Sequence, residues 1–216
     1  MDLILSFEET RVIGSLIEKE LTTPEYYPLT LNSLKNACNQ KSNRNPVVSF
    51  DDTLVEKIIE ILRGKSFVSR VTGSDIRVPK YRQVFTEALE LSPAEVAVIC
   101  VLMLRGPQTP GEIKGRTGRM FVFENLGQVD EVMQRLMNKE KPLVIKLPRQ
   151  IGMKEARYAH LLSGEPDIEN IFKEDNDEQV SQNNEKIEKL ESDIESLHNE
   201  LAELKKQFEE FRSQFG

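Results

Sequence analysis

The strongest constraint on this chain is that residues 1–164 carry one local plan twice. Ser6-Phe7-Glu8-Glu9 opens a helical pattern, and Ser92-Pro93-Ala94-Glu95 opens another 86 positions later. Thr23-Pro24 and Thr109-Pro110 keep that offset. Farther along it shrinks to 77, where Phe67-Val68 matches Val144-Ile145 and Tyr81 matches Tyr158. Two copies of one supersecondary unit, the second with a shorter middle loop, account for both offsets. A tandem of small units suits a ligand that is long or symmetric.

Each copy reads as helix, short helix, helix and two-stranded hairpin. In the first, Ser6 and Glu9 form a capping box, and Val12, Ile13, Leu16 and Ile17 share one helical face. Pro24 ends that helix by pushing its predecessor out of the helical region. Thr30 caps a short helix through Leu34, Ala37 and Cys38. Asp51 and Asp52 sit at the positive end of a third helix, expected to bury Leu54, Ile58, Ile61 and Leu62. Strands are expected over 67–71 and 76–81 around Gly73-Ser74-Asp75. The second copy predicts helices over 93–105, from Pro110, and over 126–139, then strands over 143–148 and 157–162. This order is that of the winged helix, in which the hairpin is the wing. The expected fold is α+β: winged-helix domains at 1–88 and 89–164, an acidic linker at 165–178, and a coiled-coil helix at 179–216.

The charge is unevenly spread. Residues 1–164 hold 23 Lys and Arg against 20 Asp and Glu, whereas 165–216 hold 6 against 16. The acidic balance therefore belongs to the tail and leaves the folded part mildly basic. Two cysteines, Cys38 and Cys100, with no metal-ligand spacing around them point to a reducing cytosol. Asp2 and Glu8 stand where a secretory leader would be basic. The apolar run Val96–Leu104 falls short of the ~20 residues a membrane span needs. A cytoplasmic protein without a membrane segment is expected. That apolar run has no polar side, so its helix is expected to be buried all round.

The strings Arg11-Val12-Ile13-Gly14, Glu18-Lys19 and Thr22-Thr23-Pro24-Glu25-Tyr26-Tyr27-Pro28-Leu29 resemble those of the YceH-like bacterial proteins. The likeness continues through Ala37-Cys38-Asn39-Gln40-Lys41, Asn43-Arg44, Leu104-Arg105-Gly106, Gln108-Thr109-Pro110, Arg119-Met120 and Arg157-Tyr158. The resemblance implies tandem winged helices with a C-terminal coiled segment, and it implies no activity. Through it, Thr22, Thr23, Glu25, Tyr26, Asn39, Gln40, Asn43 and Arg44 become candidates for a binding surface. The alternative is structural: the two Thr-Pro pairs cap helices, and Asn39 ends one in the left-handed region.

Beyond Gly164, Ile187, Leu190, Ile194, Leu197, Leu201, Leu204, Phe208 and Phe211 alternate in steps of three and four. That is a heptad seam, and a homodimer through a parallel coiled coil is expected from it. A single amphipathic helix docked on its own chain is the alternative.

No enzyme is expected, and no cofactor or metal. The histidines are His160, in a hairpin strand, and His198, inside the expected coil; no nucleophile triad or phosphate loop accompanies them. Nucleic-acid binding is the reading winged helices invite. Its candidates are Lys41, Asn43 and Arg44 before the third helix; Arg70, Arg77, Lys80 and Arg82 on the first hairpin, with Arg63 and Lys65 nearby; and Lys114, Arg116 and Arg119 in the second copy. Asp51, Asp52, Glu56, Asp130 and Glu131 oppose it, because they lie where a recognition helix meets base acceptors and phosphates. A protein-interaction adaptor is the competing function.

Overall fold

The structure, a computed structural model, describes residues 3–73, 78–149 and 155–168, together with Ile194 and Ser196. Among the described residues, seven named helices and two small sheets make a mixed α+β arrangement whose element order is compatible with the winged helix. The first set comprises α1 (Phe7–Thr22), β1 (Leu29–Thr30), α2 (Leu31–Cys38), α3 (Asp52–Gly64), β2 (Val68–Val71) and β3 (Lys80–Gln83). After a single turn, α4 (Phe85–Ala88), come α5 (Pro93–Arg105), α6 (Pro110–Thr117), α7 (Leu126–Met137), β4 (Val144–Lys146) and β5 (Tyr158–His160).

Helix starts follow their caps. The Ser6 hydroxyl accepts the Glu9 N–H at 3.2 Å while the Glu9 carboxylate accepts the Ser6 N–H at 2.7 Å. Glu95 serves Ser92 in the same way at 2.8 Å. At the short helices, Thr30 caps Ser33 and Thr109 caps Glu112, each at 3.3 Å. Satisfying these first-turn donors fixes where each helix begins.

The caps also correct the repeat alignment. Thr109 is the counterpart of Thr30, 79 positions earlier, and not of Thr23. Thr23 closes α1, and a 3₁₀ turn at Pro24–Tyr26 follows it. The first set thus carries an insertion between its first two helices, and the matching Thr-Pro pairs are coincidental. The insertion positions Tyr27, whose hydroxyl oxygen accepts the Gln83 N–H of β3 at 2.7 Å. The sheets support the same alignment, for Leu29 pairs with Tyr81 and Gln108 bridges Tyr158.

Residues 1–166 form one compact unit, and its hydrophobic core draws on both sets. Helix α5 lies at its centre, with every residue from Ala94 to Leu104 buried, as its apolar run requires. Helix α1 covers one side of it. A methyl group on Gly14 would stand 2.9 Å from Leu104 Cδ2, and the Cys100 thiol donates to the Gly14 carbonyl at 3.5 Å. Only a residue without Cβ permits that approach. The unit's ends are tied as well: the Leu5 N–H donates to the Leu162 carbonyl at 2.7 Å.

Helix α3 departs from its expected face. It buries Val55, Ile58, Ile59 and Leu62, while Leu54 is half-buried and Ile61 is 39% exposed. The strands are shorter than expected, and β3 begins at Lys80 rather than 76. The heptad seam at Ile187, Leu190, Leu197, Leu201, Leu204, Phe208 and Phe211 lies outside the described residues; Ile194 is helical and exposed.

Candidate nucleic-acid interface

The loop between α2 and α3 is built around two buried arginines. Arg44, 6% exposed, donates from Nε and Nη2 to the Ala37 carbonyl at 3.1 and 2.8 Å. It also grips Glu18 with both ends of its fork, at 3.1 and 2.6 Å. Arg11, fully buried, donates to the Cys38 carbonyl at 3.3 Å and the Pro46 carbonyl at 2.7 Å. Two guanidinium groups thus satisfy the final carbonyls of α2, where the helix end carries partial negative charge. Asn39 locks the loop's far end: its side-chain amide donates to the Phe50 carbonyl and accepts the Phe50 N–H, both at 2.8 Å. Its φ is −89°, so it does not end α2 in the left-handed region. Asn43 takes that conformation instead, at φ 62°, and its side-chain Oδ1 accepts from Arg105. Arg44 and Asn39 are therefore internal supports, and Asn43 is exposed but bonded to α5. Lys41 alone of the loop cations extends into solvent.

Internal pairing also occupies much of the first basic cluster. Arg63 bonds Glu60 at 2.7 Å, Lys65 bonds Glu9 at 2.9 Å, and Arg82 lies 3.6 Å from Glu87. Lys80 is half-buried and Arg70 is exposed; Arg77 falls outside the described residues. In the second set, Lys114 donates to the Glu124 carbonyl at 2.9 Å and Arg116 pairs with Glu112 at 3.3 Å. Arg119 is exposed.

The hairpins share one feature that the sequence candidates missed. Arg70 pairs across the strands with Tyr81, and Lys146 pairs across them with Tyr158. Both cations are exposed and both tyrosines buried, so each hairpin holds a positive charge at one equivalent register position. The tyrosine match in the sequence was the available signal; the offset of 77 set Leu147 against Arg70, whereas the observed register aligns Val68 with Val144 and so Arg70 with Lys146. Beside Lys146, an open depression of about 490 Å³ is bounded by Pro110, Leu126, Asp130, Arg149 and Tyr158.

The acidic residues on the third helices have mixed duties. Asp51 caps α3 by accepting the Leu54 N–H at 2.7 Å, and Asp52 lies 3.0 Å from Lys35 of α2. The corresponding cap of α7 is the uncharged Asn125. Glu56, Asp130 and Glu131 are exposed. Of the proposed turn residues, Thr22 and Thr23 donate back to Glu18 and Lys19 carbonyls at 2.7 and 3.2 Å, whereas Tyr26 and Glu25 are exposed.

Among the described residues no group of three or more His, Cys, Asp or Glu side chains is placed to hold a metal ion, and no helix is long and apolar enough to cross a membrane. Burial pushes the Cys38 thiol up to about 11 and Cys100 higher still. Burial lowers His160 to about 4, and its Nδ1 is enclosed without a hydrogen-bond partner.

Comparison with known proteins matches residues 5–153 to a family described as "Protein of unknown function, DUF480". The chain belongs to that family. A UPF0502 protein of Citrifermentans bemidjiense is 53% identical over 171 residues, 79% of each chain. Another, from Opitutus terrae, is 54% identical over 162 residues, covering 74% of this chain and 70% of the relative. The family match lies within the compact unit and ends before β5.

Proposed function

We propose that this DUF480 protein binds duplex DNA through two winged-helix units, each hairpin acting as a wing that sets a cation on the phosphate backbone. The observation that carries this reading is the register equivalence of Arg70 and Lys146, each exposed opposite a buried tyrosine. A duplex presents regularly spaced phosphates, and repeated cations on one rigid unit suit such a polyanion. The acidic start of α3 opposes the reading less than its composition implies, since Asp51 is held as a cap and Asp52 by Lys35. Exposed Glu56 and Asp130 keep base readout weak, so binding is expected to be largely indifferent to sequence. Anisotropy titration of a short labelled duplex tests this. Affinity should be measurable near 50 mM salt and fall steeply toward 200 mM; flat titrations at both would end the DNA reading.

A second reading has its own observation. Val122 is 74% exposed and Leu126 44% exposed, and Leu126 lines the open depression together with Asp130. Apolar side chains with carboxylates nearby suit a protein partner. An adaptor would leave duplex unbound and lose its partner on Leu126→Asp.

A further inference from the structure

A second concavity, of about 410 Å³, is bounded by the C-terminal parts of α1 and α5, the Gln40–Asn43 stretch, and the segment from Gly115 to Met120. Val101, Leu104 and Met120 give it an apolar side, and Lys19, Arg105, Arg116 and Arg119 give it a cationic one. Its charges do not balance. The one carboxylate in the lining, Glu18, is gripped by Arg44 at 2.6 Å and lies 3.6 Å from Lys19. Arg116 is paired with Glu112, which Arg157 shares at 3.2 Å. Among the described residues neither Arg105 nor Arg119 makes an ion pair; Arg105 donates to the Asn43 carboxamide oxygen instead. Partial burial, and next the positive charge of Arg116, lower the Arg105 pKa, with Arg44 adding to the fall while Glu18 and Glu112 offset part of it.

We propose that this groove is a binding site for a small phosphate monoester, with Arg105 and Arg119 taking the phosphate and the organic part lying against Leu104 and Met120. Three features select this class. Guanidinium forks match the tetrahedral oxygens of a dianion bidentately. A bound dianion would relieve the repulsion between Arg105 and Arg116. The volume suits a ligand the size of a nucleotide, and a mixed lining of apolar surface with a few convergent polar groups is typical of such sites. Gln40, Ser42 and Thr22 add hydrogen-bonding groups for the remainder of the ligand. The two repeats enclose the groove together, so the site requires both.

Calorimetric titration of the full chain with adenosine monophosphate, inorganic phosphate and adenosine separates the parts of the proposal. Saturable binding is expected for the monophosphate, weaker binding for inorganic phosphate and none for adenosine. Arg105→Gln should weaken both phosphate ligands at least tenfold while its melting temperature stays near that of the wild type. Arg119→Gln, which alters an exposed surface residue, supplies a second variant if Arg105→Gln melts early, and it too should weaken both. Absence of saturable heat from both phosphate ligands overturns the proposal, as does wild-type binding in both variants. If Arg105→Gln impairs duplex binding while neither phosphate ligand binds, the groove belongs to the DNA surface and the small-ligand site is refuted. Small-ligand binding without any duplex binding would instead remove the DNA reading and leave the groove standing.

Discussion

Replacing Arg44 with alanine removes both bonds to the Ala37 carbonyl and the two-ended grip on Glu18. The side chains of that pair are 0% and 11% exposed, so Glu18 would be left as a nearly buried carboxylate. Breaking such a pair from one side costs about 3–5 kcal/mol, because the surviving charge stays desolvated. Lys19, 3.6 Å from Glu18, remains and offsets part of this, which puts the expected loss near the lower end, ~3 kcal/mol. For a domain of this size each kcal/mol shifts melting by roughly 2–4 °C, so a fall of about 6–12 °C is predicted by calorimetry or circular dichroism. The double variant Glu18→Leu/Arg44→Met should lose less than the sum of its single changes, with a coupling above about 1 kcal/mol. A shift below about 2 °C for Arg44→Ala, or strict additivity in the double variant, would refute the internal role and return Arg44 to the surface.

Three further outcomes follow from the described chemistry. The folded pKa of His160 is about 4 against an ordinary 6.5, so the unfolded chain binds the proton first. Stability should therefore be level above pH 6.5 and decline as pH falls toward 4, by at most about 3 kcal/mol from this group; His160→Asn should shallow that decline relative to wild type, and an identical pH profile contradicts the assignment. Both thiols are buried and held protonated, so disulfide-exchange reagents at pH 8 should modify them only at the rate of unfolding, whereas rapid native-state modification would show an accessible thiol. The heptad seam predicts a homodimer that ends when the chain is cut after Gly164; sedimentation showing a full-length monomer would remove the coiled-coil proposal.

Local chemistry made much of the fold legible. Ser6, Thr30, Ser92 and Thr109 each mark a helix start by satisfying orphan N–H groups within three residues, so sequence alone located them. The uninterrupted apolar run of α5 gave both its extent and its burial, because a helix with no polar side has nowhere to go but the interior. Non-local contacts defeated the same reasoning. Arg44 looked like a solvent-facing cation beside Lys41 and Asn43; its partners, Glu18 and Ala37, are 26 and 7 residues away and come together only in the folded chain. The buried stripe of α3 was misjudged because Ile58, Ile59, Ile61 and Leu62 fit more than one face, and packing selected Ile59 over Ile61. The false match of Thr23-Pro24 with Thr109-Pro110 shows how a cap signature can be duplicated by a helix terminus. Lys146 and the Arg105 groove required the register of the hairpins and the contact between the two sets, neither of which is written in local spacing.

The central claim, that Arg70 and Lys146 act as equivalent phosphate contacts on one polyanion, is tested most directly by the salt dependence of duplex binding in the wild type and in Arg70→Gln/Lys146→Gln. Each phosphate contact contributes about 0.9 to the slope of log affinity against log salt. The double variant should therefore bind every sequence more weakly, with its slope reduced by about 1.8, and should melt no more than about 4 °C lower, since only the contact of Lys146 with the Tyr158 ring is lost. A slope equal to that of the wild type, or no duplex binding by the wild type at low salt, would contradict it.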